Sequence, residues 1–159
     1  MDEKALFLRF WDKEAPATRK VLARIPQEKS DYKPDAKSRT AREIAWLLVH
    51  EEIFLAEGLE GGHFDWIELP SPATMAEIMA VYDARHGELT ERMKKLPASQ
   101  LEKRMPFTVQ GQEVMNETGY ENCWITLFDQ VHHRGQLSTY LRPMGSTVPQ
   151  IYGPSGDEP

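Results

Sequence analysis

The residues with the most chemistry in this chain sit together in Asp129-Gln130-Val131-His132-His133-Arg134-Gly135-Gln136. At about 100° per residue of an α-helix, Asp129, His133 and Gln136 fall on one stripe at i, i+4 and i+7, with His132 on its edge. Trp124, Leu127, Phe128 and Val131 make an apolar stripe, and Ile125, Leu137, Tyr140 and Leu141 occupy the remaining faces. A helix apolar on so many sides should be largely buried, with its polar stripe facing a cavity. Interior imidazole and carboxylate groups are costly unless paired or bound to a metal. Side chains at i and i+4 can reach one ion together, and a neighbouring helix can supply further donors. His50, flanked by Leu48, Val49 and Ile53, is the candidate donor from a second apolar segment. His50, Asp129 and His133 would make a two-nitrogen, one-oxygen set suited to zinc, nickel, iron or manganese. Three protein donors leave positions open for water or substrate, as catalytic sites do and structural sites do not. Spacing alone is weak support, because an Asp four residues before a His is commonly just a hydrogen-bonded couple.

Helices must position these groups. Apolar residues at three- and four-residue spacings predict a first helix from about Asp2 to Ile25, with Pro16 either kinking it or separating a short helix from a longer one. Pro26 to Arg39 reads as a surface loop. Thr40-Ala41-Arg42-Glu43 is a capping box that opens a second helix ending near Gly61-Gly62. Thr74-Met75-Ala76-Glu77 opens a third, which Pro97 ends, and the fourth runs from about Gly119 to Pro143. Met105–Val109 and Glu113–Met115 could pair as a small hairpin around Gly111, with Pro106 asking for an edge position. Residues 146–159, rich in proline and glycine, read as an extended tail. Four apolar stripes in 159 residues predict an all-α, single-domain four-helix bundle over 1–159. Its long loops leave room for a connection that crosses the bundle.

Composition excludes several function classes. Lys and Arg number 19 against 25 Asp and Glu, a net charge of −6 with no basic block, so phosphate-driven nucleic-acid binding is not expected. One cysteine, Cys123, rules out an intramolecular disulfide framework and a multi-cysteine zinc site, and fits a reducing compartment. No apolar run approaches the roughly 20 residues of a membrane span, and the N-terminus has no signal-peptide core. The expectation is a cytoplasmic protein without nucleic-acid or membrane partners. His63 reads as solvated. Asp83-Ala84-Arg85-His86 could combine with Asp129-Gln130-Val131-His132 as two Asp-x-x-His elements of a dimetal site, for which Glu51 is one available glutamate, but the first helix offers no inward one. Cys123 reads as a packed thiol, and Trp11, Trp46 and Trp124 as core.

The segment His133-Arg134-Gly135-Gln136-Leu137-Ser138-Thr139-Tyr140-Leu141-Arg142, with Gly145 and Val148-Pro149, resembles the C-terminal motif of the DinB/YfiT-like family. Glu43-Ile44-Ala45-Trp46-Leu47-Leu48-Val49-His50 resembles its second helix, and the likeness extends over nearly the whole chain. This resemblance implies an up-down-down-up four-helix bundle, often homodimeric, holding one divalent metal through three histidines. His50 and His133 match two of them. Asp129 stands where the family has its third, either as a carboxylate ligand or as an acceptor that orients a ligand histidine while His132 or water completes the site. The resemblance further implies a metal-dependent transferase or isomerase using a low-molecular-weight thiol, with zinc or nickel as the first candidates and iron or manganese next. Gln136 or Arg134 would then orient an anionic co-substrate. The other reading is a non-enzymatic bundle, with or without metal, that binds a small ligand or partner. Apolar surface around most of the fourth helix also points to a homodimer.

Overall fold

The computed structural model describes residues 2–159. Four long helices carry it: α1 (Glu3–Leu22), α2 (Ala41–Gly61), α3 (Met75–Lys95) and, after the short α4 (Ala98–Leu101), α5 (Gly119–Leu141). Pro16 lies within a continuous α1, on an exposed face where water can satisfy the carbonyl it leaves free. Reciprocal capping boxes open α2 at Thr40/Glu43, α3 at Thr74/Glu77 and α5 at Thr118/Glu121. Gly62, in the left-handed conformation at φ 73°, closes α2. α1 packs against α3 and α5, and α2 against the same two. Between them lie two apolar clusters, one around Leu22, Ile44, Leu48, Ile78 and Leu137, the other around Trp11, Leu55, Leu59, Leu89 and Leu127.

The structure departs from an all-α fold in one respect. A three-stranded sheet, ordered β1-β2-β3, joins β1 (Phe64–Trp66) to the hairpin β2 (Arg104–Val109) and β3 (Gln112–Thr118). The hairpin turns through Gln110 and Gly111, both at positive φ (52° and 76°), the geometry that matches strand twist in a two-residue loop. β2 is the central strand, which the proline at 106 argued against. β1 pairs in parallel only with Phe107–Val109, so Pro106 meets β3 alone and its missing N–H breaks no bond to β1. Only three residues long, β1 is too short for alternation to announce it. Its Phe64 is buried flat on α2, where a Cβ on Gly58 would lie 2.0 Å from the ring. The sheet thereby covers the end of α2 and faces α5 across a cavity. Among the described residues, no helix is long and apolar enough to cross a membrane.

Candidate metal centre

Halfway along α2, the run His50-Glu51-Glu52 places three polar residues in an otherwise apolar segment, and all three are buried. Successive residues point about 100° apart, so they serve three different neighbours. His50 turns toward the sheet, its ring centroid 4.4 Å from that of Trp66, and burial pushes its pKa down. Glu52 turns toward α3, where both carboxylate oxygens lie 3.0 Å from His86 Nδ1, and His86 stacks between Trp11 and Tyr82. Glu51 turns toward α5.

There Glu51, Asp129 and His133 each offer a ligand atom, and these atoms all lie within 4.8 Å of one another. His133 Nε2 is 3.5 Å from Asp129 Oδ2, while His133 Nδ1 is 2.8 Å from Gln136 Oε1. The Gln136 oxygen can only accept, so Nδ1 donates to it, and Nε2 is the ring nitrogen that faces the carboxylates. Gln136 Nε2 then reaches His132 Nε2 at 3.1 Å. The i, i+4, i+7 stripe of the sequence thus works as a unit, with Gln136 bonded to the histidine.

Glu51 is 4% exposed, and its Oε2 has no hydrogen-bond partner. Burial, and then the facing Asp129, push its pKa up to about 10. Asp129 is held down to about 2, chiefly by His133, whose own pKa that carboxylate raises. The buried Glu51 and His133 and the half-exposed Asp129 thus converge around an unpartnered Glu51 oxygen, and a divalent cation displacing the Glu51 proton would give that oxygen a partner. The residues present therefore fit a metal ion.

The group opens into a cavity of about 300 Å³, walled by Phe54 from α2, Trp66 from β1, Phe107 from β2, Met115 from β3, and Ile125 from α5, with Arg39 also on its lining. Of the sequence candidates, Asp129 and His133 come together here and His50 does not. His50 lines the neighbouring cavity of about 440 Å³ with Trp46, Glu68 and Leu69. Glu51 takes its place in the group. The signal was present in the sequence, since Leu47, Glu51 and Phe54 share one helical face and all line the cavity. Arg134 does not reach the site. It is 2% exposed and pairs with Glu14 Oε2 at 2.7 Å, with further bonds to Thr18 and Tyr152. Asp83 binds Arg19 on the surface, which leaves His86 to Glu52 and no dimetal arrangement with His132. Cys123 is buried, and burial pushes its thiol pKa up.

Fold and site together define a helical-bundle protein with an acidic, histidine-containing candidate metal centre at the mouth of a small cavity. The sequence profile of the DinB family matches residues 1–159, and the chain belongs to that family. It is similar to YrdA of Bacillus subtilis, at 28% identity over 96% of this chain and 89% of that protein. The fold is similar to crystal structures of two DinB-like proteins. One is from Bacillus cereus (TM-score 0.76, 22% identity, covering 92% of this chain and 95% of that one), the other YjoA from B. subtilis (TM-score 0.71, 18% identity, covering 93% and 98%).

Proposed function

We propose that this protein is a divalent-metal enzyme acting on a small molecule, with Glu51, Asp129 and His133 as the metal-binding residues. The observation that carries the reading is the buried Glu51 carboxylate, which faces Asp129 with one oxygen unpartnered. A bound divalent ion would supply Lewis-acid activation of a coordinated oxygen or sulfur atom. One imidazole with two carboxylates suits zinc, iron or manganese, because oxygen donors favour harder ions. These two carboxylates neutralise more charge than three histidines do. A thiol S-transferase therefore fits this donor set less well than chemistry on an oxygen ligand. Gln136 holds the His133 tautomer, and the ring wall of Phe54, Trp66 and Phe107 excludes water from the cavity's apolar side. An up-down-down-up bundle and a homodimer belong to the same reading. Phe10 and Phe128, 38% and 65% exposed, flank Trp124 at 6.1 Å each and form an aromatic strip across α1 and α5. Sedimentation at micromolar concentration tests the dimer, and a monomer refutes it.

The test of the metal centre is titration of chelator-treated protein with zinc and with manganese. Glu51→Gln and His133→Ala should each lose more than about a hundredfold in affinity, beyond the range typical of residues that only orient a ligand. His50→Ala should lose less than about tenfold. The reverse ranking, with His50 essential and Glu51 dispensable, would overturn the assignment.

A further inference from the structure

Arg39 is an exposed residue of the loop before α2, next to the capping Thr40, and it lies where three cavities meet the surface. It lines the cavity that holds the metal group, the neighbouring cavity beside His50, and a third beside Gln136. The first two share Leu47 and Trp66 as well, so Arg39 stands where they meet. Its carbonyl is held by the Tyr140 hydroxyl at 3.4 Å, which ties the residue to α5. Its guanidinium makes no hydrogen bond or ion pair among the described residues, whereas Arg19, Arg24, Arg42, Arg92, Arg134 and Arg142 each pair with a carboxylate. Among the described residues it is also the sole lysine or arginine lining either of the first two cavities. It shares the lining of the first cavity with Glu51, Asp129 and His133.

We propose that Arg39 is the substrate anchor of this site, and that the substrate class is a small aromatic monocarboxylate. One guanidinium matches one carboxylate through a two-point fork. A phosphate dianion would call for more positive charge than a single arginine beside two acidic groups provides. The body of the ligand lies against the cavity wall made by Phe54, Trp66 and Phe107, whose rings pack on one another edgewise or tilted at 5.1 and 5.2 Å and so offer faces and edges to a further ring. A cavity of about 300 Å³ is at the small end of ligand sites and fits a single-ring compound. Only the placement of the ligand's reactive end, toward Glu51, Asp129 and His133, rests on the metal reading.

The experiment is calorimetric titration with phenylacetate and with its neutral counterpart phenylacetamide, on chelator-treated and on zinc-treated protein. Phenylacetate should bind the wild type more tightly than phenylacetamide. Arg39→Gln should weaken phenylacetate by about tenfold to a hundredfold, the scale of a charge-assisted pair, and leave phenylacetamide unchanged. Arg39→Lys should fall between, having the charge without the fork. Phe107→Ala should weaken both compounds. Equal phenylacetate affinity in wild type and Arg39→Gln overturns the anchor, as does a wild type that binds neither compound. The metal reading is tested separately by zinc uptake. If zinc does not bind but chelator-treated protein takes phenylacetate in an Arg39-dependent way, the anchor stands and the metal reading falls.

Discussion

Glu51→Gln should make the metal-free protein more stable while disabling its metal site. In the fold the Glu51 carboxyl titrates near 10, against an ordinary value of 4.5, because it is buried and faces Asp129. At pH 7 the folded chain therefore keeps a proton that the unfolded chain releases. Holding that proton 2.5 pH units above the ordinary value, at about 1.4 kcal/mol each, costs the native state about 3 kcal/mol. The group is 4% exposed, so solvent does little to reduce this figure. Glutamine is isosteric, never ionises, and can donate an amide N–H to Asp129 where the protonated acid donates O–H. The direction with pH follows from an acid whose folded value is raised. The wild type loses stability as pH climbs from 4.5 toward 10, and the variant lacks this component. The variant's advantage should be absent at pH 4 and reach about 2–3 kcal/mol at pH 7, or roughly 5–10 °C in melting temperature for a chain of this size. The assay is denaturant unfolding of chelator-treated protein at both pH values. Saturating zinc should raise the wild type and not the variant, reversing their order. A variant no more stable than wild type at pH 7 without metal would refute the argument, because it would mean that Glu51 is not held in an incomplete site.

Asp129→Ala should weaken zinc binding by more than about a hundredfold and Asp129→His should retain it; a loss of only 10–100-fold in the alanine variant, with His132→Ala more damaging, would show that Asp129 merely orients the site. Arg134→Ala should cost about 3 kcal/mol in thermal or denaturant unfolding, since it empties a fully buried pocket and takes the ion-pair partner from the partly buried Glu14. Gly58→Ala should cost about 2–3 kcal/mol in the same measurement, because the new methyl would overlap the Phe64 ring. Cys123 should resist thiol reagents in the native protein and react on unfolding, its thiol being buried and its pKa raised.

The long helices were legible because their signals are local. Thr40, Thr74 and Pro97 mark boundaries that the structure reproduces within a residue or two, and the apolar periodicity between them is strong. Asp129 and His133 were legible for the same reason, since both lie on one helix and their relation is fixed by its pitch. Which residue of α2 joins them was not. His50 and Glu51 are adjacent, and a rotation of 100° decides between them. That rotation is set by packing, with Leu48 and Leu55 buried on the core side, and by Trp66, which receives the His50 ring. Trp66 comes from a strand whose partner in β2 lies some 40 residues further on, a non-local pairing that periodicity cannot display. The role of Arg134 was hidden similarly, because its partners Glu14 and Tyr152 lie at opposite ends of the chain.

The cavity draws its floor and its walls from different parts of the molecule. Glu51, Asp129 and His133 belong to helices locked into the core, whereas Phe107 and Met115 belong to a half-buried hairpin outside it. Substituting Met115 reshapes the space above the acidic group without opening a void among the helices, whereas Met105 of the same hairpin is buried in the core cluster and must stay. Ligand choice and metal retention are thereby mechanically uncoupled. An engineer could vary Phe107 and Met115 together, screening for new ligands, while leaving in place Trp66, which receives the His50 ring and so helps to set the rotation of α2.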